Sequence, residues 1–214
     1  MAFKLSPTSL NLMEECPRCF WLGKHKVWKR PDSPFPQITN GIDRMLKVHF
    51  DKFMTRGELP PEIKDHHHTK GARLFDNLEL LKVWRDNKKG MRWEDKDGNI
   101  LMGAVDNLLV KGKKLIVLDY KTKGYPIKDE KEAGDYYQNQ LDIYNFLLRK
   151  NDYETEDYAF IMFYIPKEVL ENGQVIFDAI LARREISIEN AEKLFQKAIK
   201  LLNGECPKEG CEWC

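Results

Sequence analysis

The cysteines constrain this chain most. Cys16 and Cys19 stand near its start, Cys206, Cys211 and Cys214 at its finish, and positions 20–205 contain none. Cysteines scattered through a core would not leave so long a stretch empty, so the fold is expected to bring the two ends together. Cys16-x-x-Cys19 and Cys211-x-x-Cys214 each have the spacing of half a tetrahedral four-thiolate site, for which zinc is the usual ion. In a reducing compartment, disulfides are not expected.

The rest of the composition sets the frame. A chain of 214 residues can bury one sizeable core. We read it as a single domain over 1–214: a helical part at 1–90, a core at 91–185, and a closing helix with the cysteine group at 186–214. Charged residues at 32% and apolar ones at 42% are ordinary for a folded soluble protein. No apolar run reaches the ~18 residues that would suggest a membrane span. The start, Met1-Ala2-Phe3-Lys4-Leu5-Ser6-Pro7, lacks the apolar stretch of a signal peptide. A cytoplasmic setting without membrane association is the expectation.

Patterning predicts a capped helix over 6–15, helices at about 42–54 and 75–85, and three strands in series at 91–94, 100–110 and 115–121. A helix at about 130–150, strands at 158–165 and 174–183, and a helix at 188–202 follow, with Gly204 placed to end the last. That order is α/β or α+β, a central mixed sheet flanked by helices. A Pro-rich loop carries Pro31, Pro34 and Pro36, and His66-His67-His68 reads as part of a solvated loop.

The chemistry concentrates around the second and third strands. Asp119 and Lys121 are two apart and so share a strand face. Folding the hairpin about Gly112-Lys113 sets Asp119 opposite Asp106. Like charges facing each other destabilise a sheet, and a cation between them relieves the repulsion. Two carboxylates with a main-chain carbonyl beside them form a hard oxygen site suited to Mg²⁺ or Mn²⁺. Lys121 could neutralise a phosphate oxygen and orient the attacking water, which together make the equipment of phosphodiester hydrolysis. On the next helix Gln140 and Tyr144, four apart, present one face, with Tyr137 a turn earlier.

Gly-x-x-Asp at 103–106, Asp-x-Lys at 119–121 and Gln-x-x-x-Tyr at 140–144 resemble the ordered motifs of RecB-type PD-(D/E)XK nucleases. Cys16-Pro17-Arg18-Cys19-Phe20-Trp21-Leu22 and the terminal cysteines resemble the iron–sulfur branch, which includes CRISPR-adaptation exonucleases and the AddB nuclease domain. The resemblance implies a nuclease of restriction-endonuclease-like fold acting on DNA, with exonuclease action favoured. It makes Asp106, Asp119 and the Tyr120 carbonyl metal ligands, Lys121 the catalytic lysine, and Gln140 and Tyr144 the motif that follows. It offers His49 as a further ligand, although His49 lies farther from Gly41 than the family pattern places it. It also implies a [4Fe–4S] cluster held by Cys16, Cys206, Cys211 and Cys214, with Cys19 the alternative fourth ligand and zinc the alternative metal. The net charge of +1 gives no general basic surplus for gripping nucleic acid. A partner protein, such as a helicase, an integrase or a recombination complex, would then supply part of the grip. The rival reading keeps the nuclease fold as a nucleic-acid or partner-binding platform with little or no catalysis.

Overall fold

The computed structural model describes residues 1–31, 37–127 and 134–214. The N-terminal segment forms β1 (Lys4–Leu5), α1 (Pro7–Glu15) and α2 (Pro17–Lys24). Ser6 starts α1 with a reciprocal capping pair: its hydroxyl accepts from the Ser9 amide, and the Ser9 hydroxyl accepts from the Ser6 amide (2.8 Å). α2 was not expected. Cys16 acts as its cap, its sulfur accepting from the Cys19 amide at 3.4 Å, and Pro17 takes the first helical position, where a missing N–H costs nothing.

The long helix α3 (Gln37–Arg56) extends the expected 42–54 helix at both ends; Asp32–Pro36 of the Pro-rich loop lie outside the described residues. A short α4 (Pro61–Lys64) and β2 (Ala72–Leu74) lead to α5 (Leu78–Trp84). Between them His66-His67-His68 enters a single 3₁₀ turn over His67–Thr69. The His66 and His67 rings stack, and the His68 ring lies tilted against both and against Phe160.

The strand expected over 100–110 is broken. It runs as β4 (Ile100–Gly103) beside β3 (Met91–Glu94) in one sheet, then as β5 (Asn107–Lys111) in another. Apart from Gly103, residues 100–105 are all apolar and Val105 is itself buried, so the pattern hides the break. The three-strand meander thus divides between two sheets, ordered β1-β4-β3 and β2-β5-β6-β7-β8. The larger sheet adds β6 (Lys114–Thr122), β7 (Tyr158–Val169) and β8 (Val175–Glu185). It is mixed, since β6 and β7 run parallel while its other pairs are antiparallel.

Helices cover both faces of this larger sheet, which explains why Leu115-Ile116-Val117-Leu118 is continuously apolar. On one face Ile116, Leu118 and Tyr120 pack with Phe50 and Met54 of α3. On the other, Leu115 and Val117 pack with Leu141, Tyr144 and Leu148 of α6 (Gln138–Lys150) and with the last helix, α7 (Ile188–Leu202). Strand alternation therefore directs Asp119 and Lys121 to the α6 face. Of the helix expected at about 130–150, residues 138–150 form α6, and residues 128–133 lie outside the described residues. Asp142 fixes its placement by accepting from the Ser187 amide (2.9 Å) and the Asn190 amide group (2.7 Å) at the start of α7.

Candidate active site and cysteine centre

The β5–β6 hairpin turns through Gly112, whose φ of +61° suits a residue without a Cβ. Its register pairs Asn107 with Leu118 and Lys111 with Lys114. The next position outward is Asp106 beside Asp119, the juxtaposition expected from the sequence. The Asp106 carboxylate leans onto β6, its Oδ2 accepting from the Tyr120 amide at 3.0 Å. Asp119 is almost wholly buried, at 1% exposure, and lies in ion-pair contact with the Lys121 ammonium.

The electrostatics follow from burial and from the company each group keeps. Burial pushes the Asp119 carboxyl up to about 7; Lys121 pulls against it, and Asp106 reinforces it. For Asp106 burial acts in the same upward direction, but Lys47 and Lys121 overcome it and hold the carboxyl below its usual range. Burial draws Lys121 down, whereas Asp119 and Asp106 outweigh it and keep the ammonium above its usual value. The ammonium also sits 4.9 Å from the centre of the Tyr137 ring.

Lys47 was missed in the sequence. Its ammonium bridges Asp106 Oδ1 and Asp43 Oδ2, each at 2.8 Å. A third helical neighbour, Asp51, receives both terminal nitrogens of Arg85 (2.8 and 2.9 Å), and Arg85 Nε donates to the Asp106 carbonyl at 2.7 Å. Asp43, Lys47 and Asp51 are spaced four apart, so one stripe of α3 faces the hairpin. That spacing was visible in the sequence; its target was not.

Gln140 and Tyr144 meet as expected, the Gln140 amide donating to the Tyr144 hydroxyl at 2.6 Å. Burial holds the Tyr144 hydroxyl well above its usual pKa, and the charges of Asp119 and Asp106 add to the effect. The motif helix thus stands over the carboxylate pair. The structure does not bring His49 there. Two residues on from Lys47, it points to another side of α3, and its Nε2 meets Glu62 at 2.9 Å, an oxygen to which Tyr164 also donates.

The chain ends converge as well. The sulfurs of Cys16, Cys19, Cys211 and Cys214 all lie within 4.8 Å of one another. Neighbouring separations are 3.7 Å for Cys16–Cys214, 3.4 Å for Cys19–Cys211 and 3.9 Å for Cys211–Cys214. Cys206 stays outside the group, its sulfur 3.7 Å from the Pro207 carbonyl. The two Cys-x-x-Cys pairs thus bring four sulfurs together in an arrangement that could hold a metal ion. Around it Arg18 donates to the carbonyls of Pro207 and Lys208, Trp21 to that of Gly204, and His25 meets that of Leu202.

The sequence profile described as PD-(D/E)XK nuclease superfamily matches residues 25–214. The chain belongs to this superfamily. PD-(D/E)XK nucleases use divalent metals, and the buried Asp106–Asp119 pair, two like charges side by side, is a donor set that fits such an ion. Among solved structures, the crystal structure of SSO0001 is similar over 98% of this chain and 80% of that one, at 14% identity and a TM-score of 0.44. No curated protein matches the sequence. Among the described residues, no helix of this PD-(D/E)XK protein is long and apolar enough to cross a membrane.

Proposed function

We propose that this chain is a divalent-metal-dependent nuclease that hydrolyses phosphodiester bonds of DNA, working from strand ends. The observation that carries the reading is the Asp106–Asp119 pair with Lys121 in contact beside it. Asp106, Asp119 and the Tyr120 carbonyl would hold Mg²⁺ or Mn²⁺. Bound there, the ion supplies Lewis-acid polarisation of the phosphate and a lowered pKa for the attacking water. Lys121 places a fixed positive charge where negative charge develops on the phosphate, and Tyr137 limits where that ammonium can swing. Gln140 and Tyr144 hold one another and offer polar groups towards the same spot. DNA as substrate, and attack from an end, rest on the resemblance of the motifs at 103–106, 119–121 and 140–144 to those of RecB-type nucleases.

The cysteine centre joins the two chain ends and serves stability. A tetrahedral ion with metal–sulfur bonds of about 2.3 Å requires sulfurs about 3.8 Å apart. Three of the six separations are 3.4–3.9 Å and all lie within 4.8 Å, too short for the corners of a four-iron cluster and suited to one ion, and zinc is our assignment. A [4Fe–4S] cluster on the same four thiolates is the alternative that metal analysis separates from it. With a net charge of +1, part of the grip on nucleic acid falls to a partner protein.

A second reading draws on Lys47. Its ion pair with Asp106 neutralises that carboxylate without a metal, as suits a binding platform that no longer cuts. Calorimetric titration with Mn²⁺ separates the two. The nuclease reading expects binding in the wild type and its loss in Asp119→Asn. Wild-type protein that takes up no Mn²⁺ at millimolar concentration would leave the platform.

A further inference from the structure

Beside the carboxylate pair lies a pocket of about 480 Å³, a size typical of small-molecule sites. Gln140 and Tyr144 form its wall on the catalytic side. Lys4, Lys24, Thr8 and Asn87 contribute to the rest, and among the described residues neither Asp nor Glu lines it. In a chain with 34 acidic residues against 35 lysines and arginines, two lysines and, among the described residues, no acid make a marked local excess of positive charge. The two lysines are held close together: Lys24 is half-buried, and its ammonium donates to the Lys4 carbonyl at 2.5 Å. Burial and the neighbouring Lys4 charge both depress the Lys24 pKa.

The floor includes Gly103 and Ala104, two to three residues before Asp106, and the pocket shares Tyr144, on which the charges of Asp119 and Asp106 act, with the candidate site. One phosphorylated nucleotide suits the volume, the amide and hydroxyl donors and the paired ammonium groups. A stacked base pair does not.

The geometry points to a nucleotide subsite: the pocket receives one unpaired nucleotide next to the scissile phosphate, with Lys4 and Lys24 on the phosphate beyond it. This rests on the nuclease reading and narrows it, because the strand must be single where it enters. Asn87 and Thr8 supply polar contacts along the nucleotide, while Gln140 and Tyr144 separate the subsite from the reacting centre.

The test is binding of a fluorescent single-stranded oligonucleotide without added divalent metal, so that no strand is cut. Two variants are compared with the full-length wild type: Lys4→Gln/Lys24→Gln, and Thr8→Glu. The second places a carboxylate in the pocket wall but in the first turn of α1, where an acid favours the helix, so it should fold at least as well as the wild type. We expect each variant to bind at least about tenfold more weakly. In the double variant, the slope of log affinity against log salt should fall by about 1.4, two contacts at roughly 0.7 each. A blunt duplex of the same sequence should bind less well than the single strand. Unchanged affinity and salt slope in both variants, or no binding by the wild type, would overturn the subsite. Binding that falls as expected in a protein that cuts nothing with Mn²⁺ would keep the subsite and reject the nuclease.

Discussion

Gly103 lies flat against the ring of Tyr144: a Cβ on that glycine would stand 2.7 Å from Tyr144 Cε1 and 2.9 Å from Cδ1. The glycine of the first motif is therefore the seat of the tyrosine of the last, and it ties the end of β4, three residues before Asp106, to α6.

Replacing that glycine tests the tie. Gly103→Ala must push Tyr144 aside or shift β4, and overpacking of this kind costs about 1–3 kcal/mol. The melting temperature should fall by about 5 °C. Cleavage should fall further than stability alone explains, because Tyr144 carries Gln140 with it. A variant with wild-type melting and wild-type cleavage would contradict the packing account.

Lys47 and a divalent ion compete for Asp106. Lys47→Met should melt below the wild type without metal, because it strips a partly buried carboxylate of its partner. Adding Mn²⁺ should then raise its melting temperature more than it raises that of the wild type, since the competing cation is gone. Thermal melts across a Mn²⁺ series decide the matter. A smaller metal-induced shift in Lys47→Met would mean that the lysine assists the ion instead.

The cysteines offer a contrast within one chain. Cys211→Ser should lose the bound metal and more than about 10 °C of melting temperature, because binding energy at a structural site is folding energy. Cys206→Ser should retain both. Elemental analysis of the wild type should find about one zinc per chain, whereas about four irons would assign the cluster. Metal loss in Cys206→Ser with retention in Cys19→Ser would reverse the ligand set.

The pairing of Asp106 with Asp119 was legible because a tight turn fixes register by arithmetic, and Gly112-Lys113 marked that turn. The sharing of a face by Gln140 and Tyr144 was equally plain from helical spacing. The break between β4 and β5 was not legible, because Val105 is buried like a strand residue while the chain changes sheets around it. α2 was hidden by Pro17, which reads as loop until the Cys16 cap is recognised. Lys47 escaped notice because an i, i+4 Asp–Lys pair is usually a solvated surface feature, and its target, Asp106, lies 59 residues farther along the chain. His49 was offered by the family resemblance, and helical geometry turns it to Glu62. Among the cysteines, the Cys-x-x-Cys spacing identified the four that converge, whereas the motif resemblance favoured Cys206 over Cys19.

The most direct test of the central claim is cleavage of end-labelled single- and double-stranded DNA with Mn²⁺ or Mg²⁺, with Lys121→Ala run beside the wild type. The account predicts metal-dependent shortening of the labelled strand by the wild type and a loss of at least about 100-fold in the variant, the scale of removing a preorganised charge from a transition state. A wild type with its cysteine centre intact that cuts neither substrate, or a Lys121→Ala protein that cuts as fast, would contradict it.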